Sequence, residues 1–232
     1  ELIIYSPLAS GTLSSFLRLF LLKMTCRGSR TVLINLQRRQ HNALSRLIVG
    51  IAKPDIVIVF SKREYDYFNS INNTPLIAKT GVNLARFVPV SPGTKLYLRQ
   101  KYGLQEHEKI LLHVGHINHG RNIEILLHPQ DIDCRILVVG STSTEVDYSL
   151  KEKLVNAGVK VIDSYIEHIE EIYQMSDAYV FPVLNDHSAI EFPLSVLEAM
   201  ACNLPVVTTK YGSLPDFFKP SSSFAFFVMC GA

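Results

Sequence analysis

Short apolar runs alternate with longer amphipathic stretches along the whole chain. Strand-like runs fall at residues 2–5, 31–36, 55–60, 76–79, 110–114, 135–139, 159–162, 178–181 and 205–208. One of them, DIVIVF (55–60), is nearly all apolar. That is the pattern of a strand covered on both faces, as in a parallel sheet. Helix-like stretches lie between the runs, at 13–24, 44–52, 123–127, 150–157, 169–175 and 196–202. The first carries Leu13, Phe16, Leu17, Phe20, Leu21 and Met24 at helical spacing, the mark of a core-facing helix. Ser61 followed by Glu64, and Ser195 followed by Glu198, have the spacing of a capping box. Gly158 closes the 150–157 stretch. Strands alternating with helices predict βαβ units in doubly wound parallel sheets, an α/β fold.

The punctuation at Gly81-Val82-Asn83, then Pro89, Pro92 and Gly93, predicts a domain boundary near residue 90. The domains are then 1–90 and 91–232. A length of 232 residues suits one large domain or parts of two. The chain opens directly in a strand, and its apolar end (FAFFVMCGA) lacks a closing helix, so both domains are expected to be cut short. Hydrophobic residues make up 47% and charged residues 19%, which excludes a disordered chain. Four scattered Cys without a CxxC pair form neither a disulfide framework nor a zinc ribbon, and a reducing, cytoplasmic compartment is expected. Charge is split. Residues 1–90 hold twelve Lys and Arg against four acids, and the rest hold eleven against seventeen. A basic first module suits phosphates or an anionic membrane surface. Solvated helix faces explain the same charges, so peripheral membrane contact stays open beside that reading.

The richest segment for chemistry is 176–218, where a strand ends at Pro182, an irregular loop follows, and a helix carries Glu198 before the run PVVT. Ligands of open α/β sheets sit at the carboxyl ends of strands. A helix starting there offers N–H groups to a phosphate, and a Glu in its first turn is placed to accept from ligand hydroxyls. Arg121 would stand near a helix start, an unfavourable place for a cation that a bound phosphate would make favourable. His113, His116 and His119 have the wrong spacing to converge on zinc, and no metal site is expected. There is no P-loop, no GxGxxG after a strand and no GxSxG elbow. No nucleic-acid partner and no cofactor are expected.

The segment around LEAMACNLPVV (197–207) resembles the donor-binding signature of the group 1 (family 4) retaining glycosyltransferases. Those enzymes carry Glu-x7-Glu ahead of EAMACGLPVV. Glu198 matches the second Glu, the first falls on Ile190, and the nearest acid is Glu191. LLHVGHINHGR (111–121) is similar to the family's strand, Gly-Arg and Lys-Gly, with Gly115 at the Gly, His116 at the Arg and Arg121 at the Lys. GVNLARF (81–87) and MSDAYVFPV (175–183) are also similar to family segments, so the resemblance covers about residues 55–218.

The resemblance implies the GT-B fold, two Rossmann-like domains of which the first is incomplete here. It implies hexosyl transfer from a nucleotide-diphosphate sugar to an acceptor hydroxyl, with retention. The acceptor would be a lipid-linked molecule or a glycan. Arg121 and His116, with Gly115, would hold the diphosphate. The backbone of Glu191, Phe192, Pro193 and Leu194 would face the phosphates and sugar, Glu198 would hold the ribose, and loop 164–166 would meet the base. Arg121 and Glu198 are thus the candidate catalytic residues. Metal independence is expected, because no Asp-x-Asp sits on a strand end to hold a divalent ion. Two other readings remain, a nucleotide-sugar epimerase of the same fold and a non-catalytic nucleotide-sugar binding fragment.

Overall fold

The computed structural model describes residues 1–7, 10–127, 133–141, 145–218 and 225–227, the last three by backbone alone. Most of the apolar end noted above, and the serine run 221–223, lie outside the described residues. The chain divides into two compact units. One comprises Glu1–Thr80 with Ala189–Phe192 and Gly212–Phe217, and the other holds the remaining residues.

The first unit runs β1 (Leu2–Tyr5), α1 (Leu13–Thr25), β2 (Arg30–Ile34), α2 (Ala43–Ile51), β3 (Ile56–Val59), α3 (Lys62–Ser70) and β4 (Pro75–Ile77). Its four strands are parallel and lie in chain order, β1-β2-β3-β4. Right-handed crossovers between adjacent strands place successive helices on one face. Accordingly Phe16 and Leu19 of α1, Val49 of α2 and Phe68 of α3 share one core with Leu33, Val57 and Val59. The alternate side chains point the other way. Leu2, Ile4 and Leu76 are 59%, 60% and 55% exposed there. Each helix is capped by a side chain that accepts from the backbone, Thr12 from Ser15, Asn42 from Ser45 and Ser61 from Glu64. Ser61 therefore fills the capping role its spacing suggests. Glu64 turns inward, 2% exposed, and accepts from Asn35 Nδ2 at 2.6 Å. The short helix Leu214–Phe217 also belongs to this unit.

The second unit contains α4 (Pro92–Lys101), β5 (Ile110–Gly115), β6 (Arg135–Gly140), α5 (Tyr148–Asn156), β7 (Lys160–Ile162), α6 (Ile169–Met175), β8 (Ala178–Phe181), α7 (Leu194–Ala201), β9 (Val206–Thr208) and β10 (Ala225–Phe227). Its six-stranded parallel sheet has the order β10-β9-β8-β5-β6-β7. From β5 the chain winds outward through β6 and β7. It then returns to β8 on the other side of β5 and winds outward again. Strands β5 and β8 thus flank the point where the winding reverses. Ile136, Leu137, Val138 and Val139 of β6 are all buried, so this sheet is covered on both faces.

The boundary falls ahead of the expected residue 90. Residues 81–88 fasten onto α6, where Gln174 Nε2 donates to the carbonyls of Arg86 and Val88 and Arg86 pairs with Glu170 at 2.5 Å. Of the punctuation residues, Pro92 and Gly93 start α4 instead. Ser91 accepts from Thr94 N and Pro92 opens the helix, a start signal readable in the sequence. The stretch 123–127 is a 3-10 helix, separated from another at His119–Arg121 by Asn122 in the left-handed conformation. Helix α7 ends in a Schellman motif. Asn203, at φ 62°, donates to Met200 O at 2.9 Å, and Leu204 donates to Ala199 O at 3.0 Å. Asn203→Ala should destabilise the fold by about 1 kcal/mol, because Cβ opposes this conformation and Asn is its best non-glycine occupant. A thermal melt should fall by about 2–4 °C, and Asn203→Gly should show no such fall.

Candidate functional site

In an open α/β sheet the ligand crevice lies at the carboxyl ends of the strands that flank the winding reversal. In the second unit these are β5 and β8. Strand β5 ends at Gly115, His116 follows, and the short turn His119–Arg121 brings Arg121 back over the strand end. Asn122 donates from Nδ2 to the carbonyl of Pro182 just beyond β8, at 3.1 Å. Glycine keeps position 115 uncrowded. A Cβ there would stand 3.1 Å from His113 Nε2 and 3.5 Å from Arg121 Nη1.

Arg121 is 9% exposed, and its Nε is buried without a hydrogen-bond partner. Among the described residues no carboxylate pairs with it. Burial pushes its pKa down, and the nearby Tyr179 and Tyr211 oppose that shift. A buried cation without a counter-charge is unfavourable by several kcal/mol in the ordinary case, about 3–5 kcal/mol when a partner is removed. The arrangement becomes favourable when an anion enters, and a guanidinium fork suits phosphate oxygens.

His116 is half-buried beside it, and its pKa is lowered, first by burial and then by the Arg121 charge. It is therefore mostly neutral at pH 7 and does not replace the permanent charge of an arginine. His113 lies wholly inside β5 and donates from Nδ1 to Val180 O at 3.0 Å. His119 is exposed and pairs with Glu124 and Asp147. The three histidines thus go separate ways. Among the described residues no group of three or more His, Cys, Asp or Glu gathers as a metal site would need.

The structure changes the expected setting of Glu198. It is the fifth residue of α7, in the second turn and not the first. The capping-box reading also fails. Pro193 is the N-cap, no side chain caps the helix, and Ser195 bonds instead to Tyr179. Glu198 Oε2 accepts from the buried Tyr173 hydroxyl at 2.8 Å. Burial raises its pKa, while the Tyr173 bond and the Arg86 charge act to lower it. Nothing in the local sequence marks Tyr173 as this partner, since the pairing joins α6 to α7 through the fold.

Glu191 requires a correction too. Its backbone, expected to face the phosphates, is already bonded within the protein. It is 3% exposed, its N–H donates to Leu36 O at 2.7 Å, and its carbonyl accepts from Ser213 N at 3.0 Å. Its carboxylate accepts from Ser61 Oγ at 2.7 Å. Phe192 is likewise buried, edge-on to Phe217 with ring centres 4.5 Å apart. Both belong to the packing of the first unit. Of the four-residue backbone expected at the phosphates, Pro193 and Leu194 remain, as the N-cap and first residue of α7. Residues 164–166 line a cleft of about 360 Å³ with Tyr102, Ile162, Glu167 and His168.

Residues 95–228 match the family model described as glycosyl transferases group 1. The chain is 27% identical over 179 residues to a D-inositol 3-phosphate glycosyltransferase of Mycobacteroides abscessus, covering 71% of this chain and 39% of that protein. It is 28% identical over 205 residues to the lipopolysaccharide core biosynthesis mannosyltransferase LpsB of Rhizobium meliloti, covering 83% of this chain and 55% of that one. The chain therefore spans about two-fifths to just over half the length of these relatives. Among solved structures it is similar to a sucrose-phosphate synthase of Thermosynechococcus elongatus, with a TM-score of 0.75 at 20% identity over 98% of this chain and 60% of that one. It is also similar to Anabaena HepE, solved in complex with UDP and glucose, with a TM-score of 0.76 at 15% identity over 99% and 64% of the two chains. These likenesses agree with the α/β architecture of the GT-B glycosyltransferases expected from the motifs. By the match over more than half of its length, the chain belongs to the group 1 glycosyl transferase family.

Proposed function

We propose that the protein transfers a hexosyl group from a nucleotide-diphosphate sugar to a hydroxyl of a glycan or lipid-linked acceptor, with retention and without a metal ion. The observation that carries this reading is Arg121, a buried guanidinium with an unpartnered Nε and no carboxylate counter-ion among the described residues. It stands at the strand ends where an α/β sheet binds its ligand. A leaving diphosphate develops charge as the glycosidic bond breaks, and a fixed cation in a water-poor site stabilises that charge. Gly115 leaves room for the phosphates, and the α7 N-terminus at Leu194 offers them backbone N–H groups. Glu198, held by Tyr173, receives the ribose hydroxyls.

Calorimetric titration with UDP, GDP and ADP tests the donor site, with Glu198→Gln as the variant. A hydrogen bond to a charged group contributes about 1.5–3 kcal/mol, so the variant should bind the preferred diphosphate roughly ten- to a hundredfold more weakly. Its melting temperature should change little. An unchanged affinity would remove Glu198 from the site. The same titration in excess EDTA should give the same affinity, and a loss restored by manganese or magnesium would overturn metal independence. No helix among the described residues is long and apolar enough to cross a membrane.

A further inference from the structure

His113 has a buried nitrogen for which the transfer reaction, as set out above, gives no role. Its ring is fully buried in the central strand β5, on the sheet face shared with Val138 and Val180. The carbonyl of Val180 can only accept, so the 3.0 Å contact fixes the proton on Nδ1. Nε2 is then a bare lone pair. It is buried and has no partner. Arg121 Nε, a donor, is also buried and has no partner. The two side chains line the same space, since the point where a Gly115 Cβ would sit is 3.1 Å from His113 Nε2 and 3.5 Å from Arg121 Nη1. An orphaned acceptor and an orphaned donor beside one empty position each carry a desolvation penalty that a shared hydrogen bond would relieve.

We propose that His113 is a positioning residue for Arg121, whose guanidinium donates to His113 Nε2 when a diphosphate occupies the site. This rests on the reading that Arg121 holds the diphosphate. His113 is not itself a phosphate ligand, because a bare lone pair repels an anionic oxygen. Burial and the Arg121 charge keep the ring neutral, which preserves the lone pair. With one edge of the fork held by His113, the other edge is aimed at the phosphate oxygens. The gain is in orientation, because less side-chain freedom is lost when the anion arrives.

The test is calorimetric titration of the whole chain with UDP, GDP and ADP and with the matching nucleosides. His113→Asn keeps a donor toward Val180 but places nothing at Nε2. Diphosphate affinity should fall about tenfold, the effect of one ordinary hydrogen bond, and nucleoside affinity should not change. His113→Gln places an amide oxygen near the Nε2 position and should restore most of the loss. Wild-type affinity in the Asn variant would overturn the proposal, and so would equal losses in both variants, which mark a merely structural role. Arg121→Gln separates the two levels. If it leaves diphosphate affinity unchanged, the donor-site reading fails and the proposal with it. If it abolishes binding while His113→Asn does nothing, only the role of His113 fails. A wild-type measurement guards against variants that do not fold. The nitrogen-15 resonance of the unprotonated His113 ring nitrogen should move upfield on saturation with diphosphate, as it does on accepting a hydrogen bond. A resonance that stays in place would overturn the proposal.

Discussion

Arg121→Gln is expected to remove most of the affinity for nucleoside diphosphate while leaving the unliganded protein at least as stable as before. The two effects have one cause. The guanidinium is 9% exposed, with Nε unpartnered and no acid paired with it among the described residues. Its removal from the empty site therefore takes away an uncompensated buried charge, and replacing buried ions by neutral groups is often neutral or stabilising. In the occupied site the same removal strands a buried phosphate charge. Truncating one partner of a buried, hydrogen-bonded charge pair weakens binding by about 2–5 kcal/mol, or roughly thirtyfold to several thousandfold. Titration calorimetry and a denaturant melt on the same variant measure both sides. A structural Arg121 would give the opposite pair of results, a loss of several kcal/mol in stability and an unaltered diphosphate affinity.

Acidification from neutral pH should destabilise the chain, and His113 should be the main cause. Burial, aided by the Arg121 charge and opposed by the Val180 bond, lowers its pKa from 6.5 to about 4. The folded value lies below the unfolded one, so between these two pH values the unfolded chain binds the extra proton. The stability tied to a neutral His113 is complete above pH 6.5 and is lost as pH falls toward 4. At about 1.4 kcal/mol per pKa unit, the loss across that window is about 3 kcal/mol. His41 and His116 also have lowered values and add to the loss with the same sign. Asp55 has its pKa lowered to about 2, chiefly by the hydrogen bond from Lys23, so its contribution disappears only at lower pH. Urea melts of the wild type and of His113→Asn at pH 7 and pH 4 isolate the effect. The variant should show a much flatter dependence, whatever its stability at pH 7. Parallel slopes would mean that the buried ring titrates near its ordinary value.

Much of the fold was legible because its strands are short apolar runs with turn residues between them. The runs at 110–114 and 135–139 became β5 and β6, whereas 55–60 became β3, where Val57 and Val59 are buried but Ile56 and Ile58 only half-buried, so the expected cover on both faces is incomplete there. Ser61 and Gly158 were legible because a cap is a local event, a hydroxyl accepting a bond three residues on or a glycine at φ 89° after a helix. Position alone fails where two signals share the same letters. Pro92 and Gly93 mark a loop or a helix start equally well, and Ser91 as N-cap decides for the start. Ser195 and Glu198 have capping-box spacing, yet their side chains turn to Tyr179 and Tyr173, partners that only the packing of α6, α7 and β8 supplies. Glu191 is the clearest case. Its burial depends on Ser61, distant in sequence, and on Leu36 and Ser213. In the candidate site, Gly115 and Arg121 were legible as motif letters. The unpartnered Nε of Arg121 and the unpartnered Nε2 of His113 were not, since an unmade bond leaves no trace in a sequence.

The first unit's sheet is covered by helices on one face only, with Leu2, Ile4 and Leu76 open to water on the other, whereas the second unit's sheet is buried on both. The second sheet should consequently open last at its centre. Amides of β5 and β6, flanked by strands and covered above and below, exchange only through events near the global unfolding free energy. The strand that carries Gly115 and His113 lies at the centre of its sheet, so the proposed phosphate cradle stays formed through fluctuations that already undo the outer strands of that sheet.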